Sequence, residues 1–192
     1  MSIEVFQIVA FSPNVSPTPN DILKKFLSQH IHTIKTESTH VIACELFLEN
    51  FASKKIMMIS VPDLTRTYQG LTDANFYFLF VHLQKAKEQN NLESICSYIK
   101  KYCDLTKKIY VFGVLNDDFF AKKITKEMVK KILVEKLGKN VNYQYNEINM
   151  MNTKEMGDTI LNIFFMYCSQ NIEILTNKNN EVGQKAPSCV FF

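Results

Sequence analysis

A chain of 192 residues with 46% hydrophobic and 21% charged side chains has the make-up of one folded domain with a sizeable core, which excludes wholesale disorder and low-complexity structure. A formal net charge of +3 gives no ground for a nucleic-acid partner, and none is expected. The five cysteines (Cys44, Cys96, Cys103, Cys168, Cys189) are odd in number and form no C-x-x-C pair, so no disulfide framework or zinc site is expected and a reducing, intracellular compartment fits best.

The opening MSIEVFQIVAFSPN lacks a basic region and a small-residue cleavage site, and no window approaches 18 uncharged apolar residues; neither a secretory signal nor a spanning helix is expected. Phe6 to Phe11 is a short apolar run ended by a Pro- and Ser-rich stretch, as a buried strand would be. Ile22, Leu23, Phe26 and Leu27 then share a helical face, with Asn20 or Asp21 available as N-cap. After the polar stretch His30 to His40, Val41 to Phe51 and Lys55 to Val61 read as the two strands of a hairpin. Asn75 to Val81 is a continuous aromatic and aliphatic run, predicted as a central strand covered on both faces.

Leu92, Ile95, Cys96, Ile99 and Cys103 recur at helical spacing, and Ile109 to Val114 predicts another buried strand. Thr125 can cap a helix carrying Met128, Val129, Ile132, Leu133 and Leu137, which Gly138 stops. Val141 to Tyr145 alternates as a sixth strand, and Asn152 with Glu155 makes a capping pair for a last helix bearing Met156, Ile160, Ile163, Phe164 and Tyr167. Alternating helices and apolar strands predict an α/β fold, a mostly parallel sheet with helices on both faces and one antiparallel edge strand from the hairpin. From about Gln170 the chain is polar and tail-like.

This order of elements, followed by a polar tail ending Cys-Val-Phe-Phe, resembles a Rab-like small GTPase of the Ras superfamily over about residues 5 to 170. Gln7 to Phe26 looks like the first strand, phosphate loop and first helix, Ala74 to Tyr102 like the fourth strand and third helix, and Tyr110 to Asp117 like the strand that ends in Asn-Lys-x-Asp. The resemblance implies a three-layer fold with a six-stranded sheet in residues 1–170, and residues 171–192 as a flexible tail.

The chemistry of the family sits in motifs that this chain replaces. Phosphate binding uses G-x-x-x-x-G-K-[ST], whose glycines let the backbone wrap the phosphates while lysine neutralises them and the hydroxyl ligates Mg²⁺. By resemblance Pro13 and Thr18 occupy the glycine places, Pro19 the lysine place and Asn20 the hydroxyl place. Pro13, Pro17 and Pro19 have no N–H, so converging amides cannot form there. In the third-strand motif Leu64 stands for the glycine and Thr65 for the water-orienting glutamine, with Asp63 two places late and read as a turn residue. Of Asn-Lys-x-Asp only Asp117 remains, and of the turn after the sixth strand only Glu147.

His30, His32 and His40 with Glu37 read as solvated loop residues, so no metal is expected, and Cys96 and Cys103 read as core residues. Residues 100 to 139 hold eleven lysines against five acidic residues, an excess suited to anionic lipid or an acidic partner. Cys189 is the cysteine of a C-a-a-X ending, which predicts prenylation; many Rab proteins carry paired cysteines instead.

The resemblance therefore implies a trafficking or signalling adaptor deficient in GTP binding and hydrolysis. Its expected partners are effector or regulatory proteins, the cytosolic face of a membrane through the lipid, and a prenyl-binding carrier. The alternatives are a divergent switch that still binds GTP or GDP with Mg²⁺, and an unrelated α/β scaffold of the receiver type. The latter needs a paired acidic cluster after the first strand, which Phe11 to Pro19 lacks.

Overall fold

The computed structural model describes residues 5–12, 18, 19, 21, 22, 34–37, 41–46, 54–61, 63–85, 87–116, 121–152, 154–167 and 169. Its strands are β1 (Val5–Phe11), β2 (Ile34–Glu37), β3 (Val41–Leu46), β4 (Lys54–Val61), β5 (Phe76–His82), β6 (Ile109–Leu115) and β7 (Tyr143–Asn149). Residues 19, 21 and 22 are helical after β1, and the helices whose span is described are α1 (Glu88–Tyr102), α2 (Lys126–Leu137) and α3, residues 154–167. The strands form one sheet in the order β2-β3-β4-β1-β5-β6-β7. Five of them, β4-β1-β5-β6-β7, are mutually parallel, and helical crossovers join β5 to β6 and β6 to β7.

The predicted sheet needs correction in two respects. It has seven strands rather than six, because Ile34–Glu37 lies inside the stretch read as polar loop. It pairs antiparallel with β3, placing Glu37 opposite Ile42 and shifting register between Ile34 and Thr36. An edge strand needs backbone partners more than apolar side chains, so hydrophobic patterning passes over it. In consequence the strand that runs against the others, β3, is not the edge strand: β2 lies outside it.

The centre of the sheet follows from its side chains. All seven residues of β5 are buried, alternating between two faces. Tyr77, Leu79 and Val81 join Val9, Phe11 and Val111 in a core closed by Leu92, Ile95, Cys96 and Ile99 of α1 and Val129, Ile132 and Leu133 of α2. On the opposite face Phe78 and Phe112 meet edge to face at 5.1 Å, and Phe80 stacks on Phe112 at the same distance. Of the three N-caps read from the sequence, those at Thr125 and Asn152 are present, whereas the first helix is capped by Thr18 and not by Asn20 or Asp21. Thr125 Oγ1 accepts from the Met128 N–H at 3.3 Å, and Gly138 ends α2 with a positive φ of 107°. Asn152 Oδ1 accepts from the Glu155 N–H, and the Glu155 carboxylate accepts from Asn152 Nδ2.

The chain separates into two compact units, Met1–Gly157 and Asp158–Phe192. Within the second, residues 158–167 are helical, with Ile160, Ile163 and Phe164 buried and Met166 exposed. No helix among the described residues is long and apolar enough to cross a membrane.

Candidate functional site

In an open parallel sheet, ligands bind outside the carboxyl ends of the strands, where successive strands are laid down on opposite sides of a starting strand. Here that place is the end of β1, because β4 pairs on one side of it and β5 on the other. Ser12 follows β1 and is buried.

Beyond it a helix starts at Thr18, and this start is closed from within. Thr18, rather than Asn20 or Asp21, is the N-cap: its carbonyl accepts from the Ile22 N–H at 3.0 Å and its hydroxyl from the Asp21 N–H at 3.2 Å. The Asp21 carboxylate reaches back to accept from both the N–H and the hydroxyl of Thr18, each at 2.8 Å. Pro19 takes the first helical position, where a missing N–H costs nothing and its fixed φ suits the helix. Thr-Pro-Asn-Asp is therefore a capping box with Asp in the place of the usual Glu.

Such a start does not fit a phosphate. A phosphate at a helix N-terminus is held by free amides and a positive field. Pro19 supplies no amide, the Thr18 and Asp21 amides are already engaged, and a carboxylate sits where the anion would go. Pro19 is buried and Thr18 exposed; Pro13 and Asn20 lie outside the described residues.

The segment after β4 carries the other positions singled out by resemblance. Asp63 Oδ1 accepts from the Thr65 N–H at 2.9 Å and from its hydroxyl at 2.7 Å, and Oδ2 pairs with Arg66 at 3.2 Å. Those hydrogen bonds hold the Asp63 carboxyl below the usual carboxylate range. Thr65 is thus engaged with Asp63, and Leu64 is half-buried against the core.

Residues 66–75 are then tied down from three other elements. The Tyr98 hydroxyl, from α1, donates to the Arg66 carbonyl at 2.8 Å. The Tyr77 hydroxyl, from β5, donates to the Leu71 carbonyl at 2.9 Å and accepts from the Asp104 N–H. From β1, Gln7 Nε2 donates to the Gly70 carbonyl at 2.5 Å, and the Gln7 N–H donates to Asn75 Oδ1 at 2.7 Å. Gly70 is required twice over: its φ is 77°, and a Cβ there would stand 2.7 Å from Gln7 Nε2. Burial pushes the Tyr98 hydroxyl up to about 12, so it stays a donor across the physiological range.

At the end of β5, Glu88 opens α1 with its side chain buried. Its carboxylate accepts from the His82 N–H at 3.1 Å and from Asn91 Nδ2 at 3.2 Å. Burial holds its carboxyl above the usual range, against these hydrogen bonds and the charge of Lys85. At the ends of β6 and β7, the Asn116 N–H donates to Gln84 Oε1, and Glu147 accepts from the Tyr145 hydroxyl and pairs with Lys122 at 2.5 Å. Glu147 is thus committed to protein partners.

Asp117 and Cys189, together with His30, His32 and His40, lie outside the described residues. Among the described residues no three His, Cys, Asp or Glu side chains gather as a metal site. Burial pushes the Cys96 and Cys103 thiols up to about 12, the state of inert core cysteines. No protein-family model matches the chain, and no curated protein matches it.

Proposed function

We propose that this chain is a small-GTPase-like protein of the Ras superfamily that holds no guanine nucleotide and acts as an adaptor, meeting effector or regulatory proteins through its domain surface. The observation that carries this reading is the Thr18–Asp21 capping box, which fills the helix start after β1 with the chain's own carboxylate. The α/β sheet, with β1 between parallel β4 and β5 and a hairpin strand beside β4, is compatible with a phosphate-loop fold. The ties on residues 66–75 further favour an adaptor, since they hold a single arrangement where a nucleotide switch needs two.

The experiment is direct: purified protein is denatured and its supernatant resolved by anion exchange. The expected result is no guanine nucleotide, and a stoichiometric amount of GDP or GTP would overturn the reading. Attachment to the cytosolic face of a membrane is the further part of the proposal and rests on Cys189, which a prenyl-binding carrier would recognise once modified. A Cys189→Ser chain that keeps an undiminished membrane fraction would remove that part alone.

A further inference from the structure

The two edges of the sheet are built differently. At one, β2 is only four residues long, contains Lys35 and Glu37, and shifts register against β3 between Ile34 and Thr36. Shortness, charge and a bulge are the devices that keep an edge strand from pairing with another chain. At the other, β7 is seven residues long, contains neither lysine nor proline, and runs in unbroken register beside β6, from Tyr143 opposite Ile109 to Asn149 opposite Leu115. Its one charged residue, Glu147, is neutralised by Lys122.

The hydrogen-bond phase of β7 is fixed at both ends. The Asn142 carbonyl accepts from the Ile109 N–H at 2.9 Å, and the Met150 N–H donates to the Leu115 carbonyl at 2.8 Å. In a parallel ladder, residues bonded to the neighbouring strand alternate with residues whose backbone faces away. Gln144, Asn146 and Ile148 are therefore spent on β6, and Tyr143, Tyr145 and Glu147 turn their N–H and C=O groups outward. Among the described residues nothing pairs with those outward groups.

We infer that β7 is a self-association edge: a second copy of this chain adds its own β7 antiparallel about a two-fold axis at Tyr145, extending one sheet through both copies. The second copy is selected because the strand complements itself in this register. Tyr145 meets Tyr145 of the second copy and Tyr143 meets its Glu147, and each such pair exchanges two backbone hydrogen bonds. The two Glu147 carboxylates fall at opposite ends of the pairing, so no like charges meet. On the other face of the strand Asn146, whose Nδ2 has no acceptor among the described residues, comes opposite Gln144 of the second copy, whose Oε1 is held by Lys108 Nζ at 2.9 Å. The inference is independent of whether nucleotide binds after β1.

The test is sedimentation of the full chain over a concentration series, with amide hydrogen exchange read at the same concentrations. A monomer–dimer equilibrium is expected, in which the amides of Tyr143, Tyr145 and Glu147 become protected as the dimer forms, while those of Gln144, Asn146 and Ile148 are protected at every concentration. Tyr143→Glu sets a carboxylate against Glu147 of the second copy, and Tyr143→Lys sets an ammonium there. Both variants lose the same tyrosine, yet the lysine variant should dimerise about tenfold more tightly than the glutamate variant. Glu147→Pro removes an outward N–H without breaking a bond to β6, and should be a folded monomer. Should that variant fail to fold, the Tyr143 pair carries the same test. A wild-type chain that stays monomeric at millimolar concentration would overturn the proposal, as would a dimer whose edge amides exchange freely, or equal association of the two Tyr143 variants. Edge amides protected regardless of concentration would place a segment of the same chain on β7, and would overturn it too.

Discussion

Replacing Asp21 by alanine tests whether the helix start after β1 is closed for stability or kept free for an anion. The substitution removes two hydrogen bonds from Thr18, both at 2.8 Å, and a negative charge at the positive end of a helix. Loss of an N-terminal capping interaction costs about 0.5–2 kcal/mol. In a chain of this size each kcal/mol moves the melting midpoint by roughly 2–4 °C. The expected result is a midpoint lowered by about 1–8 °C. The electrostatic side of the argument can be read in the same assay. An anion about 4 Å from the Asp21 carboxylate is repelled by about 1 kcal/mol per unit charge in water and about 4 kcal/mol at a protein surface. Wild type should therefore melt unchanged with millimolar GTP or GDP and Mg²⁺, whereas a micromolar site would add about 4 kcal/mol under those conditions. The alanine variant should also fail to respond, since Pro19 still has no N–H to offer. A variant more stable than wild type would show that the carboxylate is not a cap, and a nucleotide shift of several degrees in wild type would refute the closed start itself.

Glu88→Ala should destabilise by about 1–3 kcal/mol in urea titrations, because it leaves the buried His82 N–H without its acceptor. Glu88→Gln keeps that acceptor and removes the charge. Since burial raises the Glu88 carboxyl in the folded state, wild type has this group's full stability below the ordinary glutamate range and loses it as pH rises through the raised value; the glutamine variant should gain on wild type over that rise, and parallel pH profiles would contradict it. Gly70→Ala should cost about 1–2 kcal/mol from the positive φ alone, and more from the close approach to Gln7, so an alanine variant as stable as wild type would be inconsistent with this turn. Tyr98→Phe removes the hydroxyl from the Arg66 carbonyl, at about 0.5–1.5 kcal/mol, and should speed tryptic cleavage after Arg66; an unchanged cleavage rate would mean that other ties hold the segment.

What the sequence discloses follows the range of the forces involved. Strands β5 and β6 are legible because Asn75 to Val81 and Ile109 to Val114 are continuous apolar runs, and the caps at Thr125 and Asn152 are legible because their partners lie three residues away. The capping box at Thr18 obeys the same rule, since Thr and Asp stand three apart, but Pro17 and Pro19 on either side of Thr18 carry the pattern of a loop. Strand β2 is hidden because a polar edge strand exists only through its pairing with β3. The ties on residues 66–75 are hidden for a different reason. Gln7 and Gly70 are 63 residues apart, and Tyr98 and Arg66 are 32 apart, so no local pattern connects them. Glu88 reads as an ordinary acid in the first turn of a helix, and only the chain fold turns it onto the end of β5.

A switch requires two arrangements of one segment and a ligand that distinguishes them. Moving such an equilibrium from 1:99 to 99:1 takes about 5.5 kcal/mol of differential affinity. The four side-chain hydrogen bonds from Gln7, Tyr77 and Tyr98 and to Asn75 together favour the observed arrangement of residues 66–75 by about 2–6 kcal/mol, so a second arrangement starts at that disadvantage. In a nucleotide switch the γ-phosphate and its Mg²⁺ supply the opposing energy. Here the helix start that would receive the phosphate is occupied by Asp21, and Thr65 is spent on Asp63. On the adaptor reading, partners of this surface therefore meet one conformation at all times. Regulation must then act on where the chain is and on which partners compete for it, rather than on its shape. An adaptor of this kind should bind its partner with the same affinity in the presence and absence of GTP, and a nucleotide-dependent affinity would restore the switch.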